Sequence, residues 1–293
     1  MAHIPEQEFI EADLNELRDA KTRLEYPSLT AKIADLVGKP IEVGFKLLPK
    51  NWNEKIGALT QSALLKGLEF SIYTMGKSET RKSQDWLHKL LVVSSGAASG
   101  AIGGFASIAI ELPFSTCVIL RSIADIARSE ALNIGLLEIK LECLEVLALG
   151  GKSSNDDAAE SGYWVIRGTL AKSLSEAASF LAAKGLAQEG APPLISLMSK
   201  IASQSSAEQV LADEGASSLI NFIAKIAARF SIVITEEAAA TAIPIIGAIS
   251  AGAINYIFMN HFQEMARGHF VIKRLEKKYG MELVEKTYKK LAI

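Results

Sequence analysis

The stretch LLVVSSGAASGAIGGFASIAI, from Leu90 to Ile110, runs 21 residues without a charge. Glu111, Pro113 and a second uncharged stretch ending at Leu120 follow it. A comparable run covers Ala238 to Gln263, with Pro244 in its first part and His261, normally neutral, inside it. As a helix, a segment of this length just reaches across a bilayer. Gly96, Gly100 and Gly104 recur at intervals of four, so one side of such a helix is nearly bare and another backbone can approach it closely. Ser94, Ser95, Ser99 and Ser107 weaken the case for insertion, because each Leu or Ile at a helix centre contributes only about −0.5 kcal/mol. A wholly buried central helix is therefore the preferred reading, with membrane insertion as the alternative.

Outward from these runs the pattern stays helical. Ile10, Leu14, Leu17 and Leu24 mark an amphipathic helix that Pro27 closes, and Leu29, Ile33, Leu36 and Val37 continue on a short second one. Trp52, Ile56, Leu59 and Ala63 begin a third that lasts to about Met75. Further stretches are expected at 136–149, 163–187, 194–202 and 208–235, with breaks at 150–157 and 190–193. Alternating strand patterns with Asn-Gly or Asp-Gly turns are absent, so the fold class is all-α, built around two apolar, small-residue-rich central helices. One domain is expected overall: an amphipathic N-terminal helix in residues 1–28, then a helical body over 29–293.

Apolar residues reach 49% before the 21 glycines are counted, and charged residues make up 22% with a net charge of −2. Such a chain is neither disordered nor a generic nucleic-acid binder. Cys117 and Cys143 form no CxxC pair, which suits a reducing compartment, and the residues after Met1 lack a basic n-region and apolar h-region. Location is expected to be cytoplasmic or at the cytoplasmic face of a membrane, with integral insertion left open. Arg81, Lys82 and Lys89 before the first run, and Arg267, Lys273, Arg274, Lys277 and Lys278 after the second, suit that orientation and equally a basic surface patch. Ile272, Leu275, Tyr279 and Leu283 form a stripe beside the last of these charges, read as docked on the core in preference to an anionic membrane.

Arg121, Asp125 and Arg128 fall on one helix face directly after an apolar stretch, so they must pair internally or meet a ligand. Glu111 stands in similarly costly surroundings. His261 with Glu264, and Asp85 with His88, are three apart, but order and number differ from the Glu-x-x-His sets of helical di-metal centres, so no metal is assigned. No phosphate loop, GxSxG elbow or HExxH helix is present and no cofactor is expected.

Several separated motifs are similar to the EcsC protein family. They are Gly103-Gly104-Phe105 through Glu111-Leu112-Pro113, Arg121-Ser-Ile-Ala-Asp-Ile-Ala-Arg128, and Cys143-Leu-Glu-Val-Leu-Ala-Leu-Gly150. The closing stretch agrees, through Pro244, Gly247, Ala253-Ile-Asn-Tyr256, His261-Phe262, Met265-Ala-Arg-Gly-His-Phe270 and Arg274-Leu-Glu-Lys-Lys-Tyr-Gly280. Where the family often has Asp before Leu-Pro, this chain has Glu111. The resemblance implies a bacterial protein working at or near a membrane, since the family is named after an operon that also encodes an ABC transporter. It supplies no catalytic residue.

The reading that follows is a non-enzymatic, membrane-associated or lipid-binding helical protein, with a membrane transporter as a further candidate partner. Arg121, Arg128, Arg267 and Arg274 are the candidates for an anionic headgroup, with Glu111, Asp125, Glu264 and His269 as further ligand-binding candidates. The alternative is a membrane-linked hydrolase or metal-dependent enzyme, which requires Glu111, Glu264 and His269 to converge.

Overall fold

The computed structural model describes residues 9–25, 29–37, 42–74, 105–149, 162–183, 214–243 and 248–292. Within them lie ten helices and no strand: α1 Glu11–Glu25, α2 Leu29–Val37, α3 Glu42–Phe45, α4 Trp52–Thr74, α5 Phe105–Ser129, α6 Leu137–Leu149, α7 Gly162–Ala183, α8 Glu214–Ala242, α9 Ala248–Tyr279 and α10 Met281–Lys290. Residues 90–104 of the first uncharged run, with Gly96, Gly100 and Gly104, lie outside the described residues, as does 194–202.

Helices α8 and α9 form the spine. The second uncharged run is divided between them, which corrects the expectation of one central helix over Ala238 to Gln263. α8 ends at Ala242 and α9 begins at Ala248. Ile243 no longer follows the helix, and residues 244–247 lie outside the described residues. Around this spine α8 packs on α7, α4, α6 and α3, while α9 packs on α1, α5, α2, α6 and α10. Phe222, Phe230, Phe258, Phe262 and Phe270 are fully buried along it. Phe262 meets Phe230 and Phe258 edge-on, with ring centroids 5.4 and 5.1 Å apart, the geometry that ring quadrupoles favour.

Among the described residues one segment is long and apolar enough to cross a bilayer, Ser218–Ala242 in α8. α7 and α4 pack against it, and 44% of its apolar window is buried. The C-terminal stripe also turns inward, with Ile272, Leu275 and Tyr279 buried.

α5 and α9 run parallel. Asn255 Nδ2 donates to Glu111, Gln263 Nε2 to Ser122 Oγ, and Arg274 Nε to Glu130, so the two sequences advance together. Pro113 lies inside α5 without ending it. The helix stops in a Schellman motif, in which Ala131 N–H donates to Arg128 O and Leu132 N–H to Ala127 O. Ala131 occupies the left-handed position at φ 58° that glycine usually fills. Gly280, at φ 86° and ψ 146°, separates α9 from α10 in a conformation that side-chain-bearing residues rarely adopt.

Three glycines allow backbones to close up. A Cβ on Gly44 of α3 would sit 2.5 Å from the Ala239 carbonyl carbon of α8, and nearer still to its oxygen. On Gly268 of α9 it would meet Leu24 at 2.6 Å and the Ala20 carbonyl oxygen at 3.0 Å, both on α1; on Gly67 of α4 it would meet Leu120 of α5 at 2.5 Å. α1 and α10 are tied together over α9. Lys21 Nζ donates to the carbonyls of Tyr288 and Leu291, Tyr288 OH donates to Glu25, and Asp13 accepts from Lys278 and Tyr279.

Candidate functional site

Two constellations gather ionisable side chains, one at an end of the bundle and one in its interior. At the end, Gly44 seats α3 on the last turns of α8, and Glu111 of α5 is bonded to Asn255 of α9 at 2.6 Å. Glu237 of α8 lies close enough to Glu111 that burial, and then the Glu111 charge, push its carboxyl well above the usual carboxylate range. The C-terminus of α8, the N-terminus of α9, α3 and the first part of α5 therefore meet here. Val43, Leu47, Phe114 and Tyr256 are carried by these elements and are 41 to 51% exposed. Lys46 and Lys50 are exposed beside Leu47. Behind them Phe45 stacks on Trp52 with centroids 6.4 Å apart, which fixes the α3 turn to the body.

The interior constellation lies where α6, α7 and α9 meet. α6 has no polar face: Lys140 to Leu149 are all buried, Glu142 and Glu145 among them. Arg167 of α7 grips Glu276 of α9 with both terminal nitrogens, at 2.6 and 3.1 Å. Lys273, one turn before Glu276, reaches Glu142 at 2.7 Å and Glu276 at 3.6 Å. Tyr163 OH lies 3.3 Å from Arg167 Nη1 and 3.2 Å from His269 Nδ1. Arg167 can only donate, so the phenol oxygen accepts from it, while the direction of the bond between the phenol and His269 Nδ1 is set by the imidazole tautomer. Burial, with Arg167 and Lys273 adding repulsion, holds His269 well below the ordinary histidine range. His269 Nε2, Trp164 Nε1 and Glu142 Oε2 are buried with no hydrogen-bond partner among the described residues.

The residues expected to act together are spread over the molecule. Glu264 is paired with Arg23 of α1 and lies 3.8 Å from Arg267. His269 belongs to the interior network and Glu111 to the bundle end. Asn255, the partner of Glu111, and His269 are fourteen residues apart on α9, about 21 Å along a helix. The convergence that the hydrolase alternative requires is therefore absent. Arg128 pairs with Asp125 at 2.6 Å, and Arg274 with both Glu130 and Glu16. Arg121 is part-buried on α5. Among the described residues no three His, Cys, Asp or Glu side chains gather as metal ligands.

Sequence reading missed Glu142, Glu145, Tyr163 and Arg167, and gave Lys273 only as one of a group of charges. The available signal was α6 itself, where apolar residues surround the helix on every side and no room is left to expose its glutamates. The sequence model of the EcsC protein family matches residues 11–275, from the first residue of α1 to late in α9. No curated protein and no solved structure matches the chain.

Proposed function

This chain belongs to the EcsC protein family, and from that premise we propose that it is a non-enzymatic helical protein that docks peripherally on the cytoplasmic face of a membrane. The docking surface is the end of the bundle where α3, α5, α8 and α9 meet. One observation carries the reading: Val43, Leu47, Phe114 and Tyr256, four large apolar side chains left half in water, stand on the elements gathered at this end. An ordinary surface scatters such residues singly. Burying what remains exposed of each contributes about 1 kcal/mol. Lys46 and Lys50 each contribute about 1 kcal/mol more at an anionic surface. The total, about 6 kcal/mol, corresponds to a dissociation constant of some tens of micromolar, a reversible association. Glu42, exposed one residue before Val43, opposes it.

Arg128, Arg267 and Arg274 each stand beside a carboxylate, which favours these lysines for the headgroup contact. The separation of Glu111, Glu264 and His269 supports a binding role over catalysis. Flotation of the full chain with phosphatidylcholine vesicles, and with vesicles containing phosphatidylserine, tests the proposal. Wild type should rise with the anionic vesicles, and Leu47→Asp with Phe114→Asp should weaken this by tenfold or more. Wild type remaining at the bottom with both vesicle types, or the double variant floating equally, refutes it.

A further inference from the structure

Among the described residues, the buried junction of α6, α7 and α9 carries one carboxyl more than its cations balance. Arg167 is committed to Glu276, and Lys273 to Glu142 and Glu276. Two cations and two carboxylates make the group neutral before Glu145 is counted. Glu145 lies three residues beyond Glu142 on the same helix, is only 4% exposed, and makes no hydrogen bond to any described residue.

The other packed elements bring it no counterion. α7 contributes Tyr163 as well as Arg167, and the phenol is already bonded to Arg167 and to His269 Nδ1. On α9, His269 is held neutral. On α8, Arg229 donates to the Ala148 carbonyl; on α5, Arg128 is paired with Asp125; on α4, Lys66 is exposed. On α6 itself, the Lys140 charge acts on Cys143, and five residues place it about 140° around the helix from Glu145.

We propose that Glu145 is a proton-binding switch: the junction is electrically closed only while this carboxyl carries a proton, and release of the proton loosens α6 from α7 and α9. Its position in the titration range agrees. Burial pushes Glu145 up to about 7, Arg167 and Lys273 pull it down, and Glu142 and Glu276 push it up. A cell-range change of pH would therefore change the packing of the helix that touches α4, α5, α7, α8 and α9. The proposal does not depend on membrane docking.

Trp164 reports the event, because its ring lies 5.0 Å from the Arg167 guanidinium and edge-on to Tyr288. Tryptophan emission of the folded wild type should titrate with a midpoint near 7. Glu145→Gln reproduces the shape and charge of the protonated form, so it should fold and show no such titration. Glu142→Gln provides a second arm: with one carboxylate gone, Glu145 inherits Lys273 as its partner and the midpoint should move to lower pH by a unit or more. An unchanged titration in Glu145→Gln, or an unmoved midpoint in Glu142→Gln, overturns the proposal. Failure of Glu145→Gln to fold overturns it too, since the neutral form is the one the junction is built for.

Discussion

Replacing Gly44 by Ala tests the seat of the bundle end most directly. The added methyl carbon would lie 2.5 Å from the Ala239 carbonyl carbon, where an unstrained contact needs about 3.5 Å. Its neighbour is helix backbone, so nothing at the contact can rotate away. Either α3 retreats from α8 by about 1 Å or the turn through Leu48 detaches. Overpacking of this kind costs about 1 to 3 kcal/mol, and the rigid partner places Gly44→Ala at the upper end. The loss of unfolded-state entropy returns about 0.5 kcal/mol, for a net destabilisation of about 2 kcal/mol. Gly57→Ala is the matched control: it sits within α4, its Cβ would meet nothing within 4 Å, and it should stabilise by about 1 kcal/mol. Urea denaturation at constant m-value should separate the two variants by about 3 kcal/mol. Trypsin cleavage after Lys46 and Lys50 should accelerate in Gly44→Ala alone if α3 detaches without global unfolding. A Gly44→Ala protein as stable as wild type and equally resistant to trypsin would refute the close approach of α3 to α8.

Ala131→Gly relieves the left-handed residue of the α5 Schellman motif. It should raise stability by about 1 kcal/mol in the same urea assay, where ordinary helix glycines lower it. His269 gives a pH dependence of definite sign. Burial holds it well below the ordinary histidine value, so the folded protein resists binding a proton that the unfolded chain accepts, and stability must fall as pH drops below about 6.5. His269→Gln should flatten the acid limb of a plot of Tm against pH, and an unchanged slope would exclude His269 as its source.

The helices of the body were legible because their boundaries are chemical. Pro27 follows α1, Pro49 precedes α4 and Gly150 follows α6, and periodicity located α2, α4, α6 and α7 to within a few residues, whereas α8 runs seven residues past its expected end at 235. The split between α8 and α9 was legible in Pro244, yet the absence of charge across Ala238 to Gln263 outweighed it. The ion pairs were not legible, because choosing a partner requires knowing which helices adjoin. Arg274 and Lys273 are neighbours in sequence, but one turns toward α1 and α5 and the other toward α6. For the same reason three arginines expected to face a ligand face carboxylates. Gly96, Gly100 and Gly104, expected to pack helices closely, lie outside the described residues. The described instances, Gly44, Gly67 and Gly268, stand singly and show no spacing for a pattern to catch.

The tie between α1 and α10 has a consequence for biosynthesis. Lys21 is translated some 267 residues before Tyr288, whose carbonyl it holds, so throughout elongation the first helix waits with its ammonium and its Leu17, Ala20 and Leu24 face unsatisfied. Final closure of the molecule then falls after the last turn of α10 has left the ribosomal tunnel. A nascent chain stalled before Met281 would remain sensitive to proteases in its earliest-made segment, although every residue of that segment is already present.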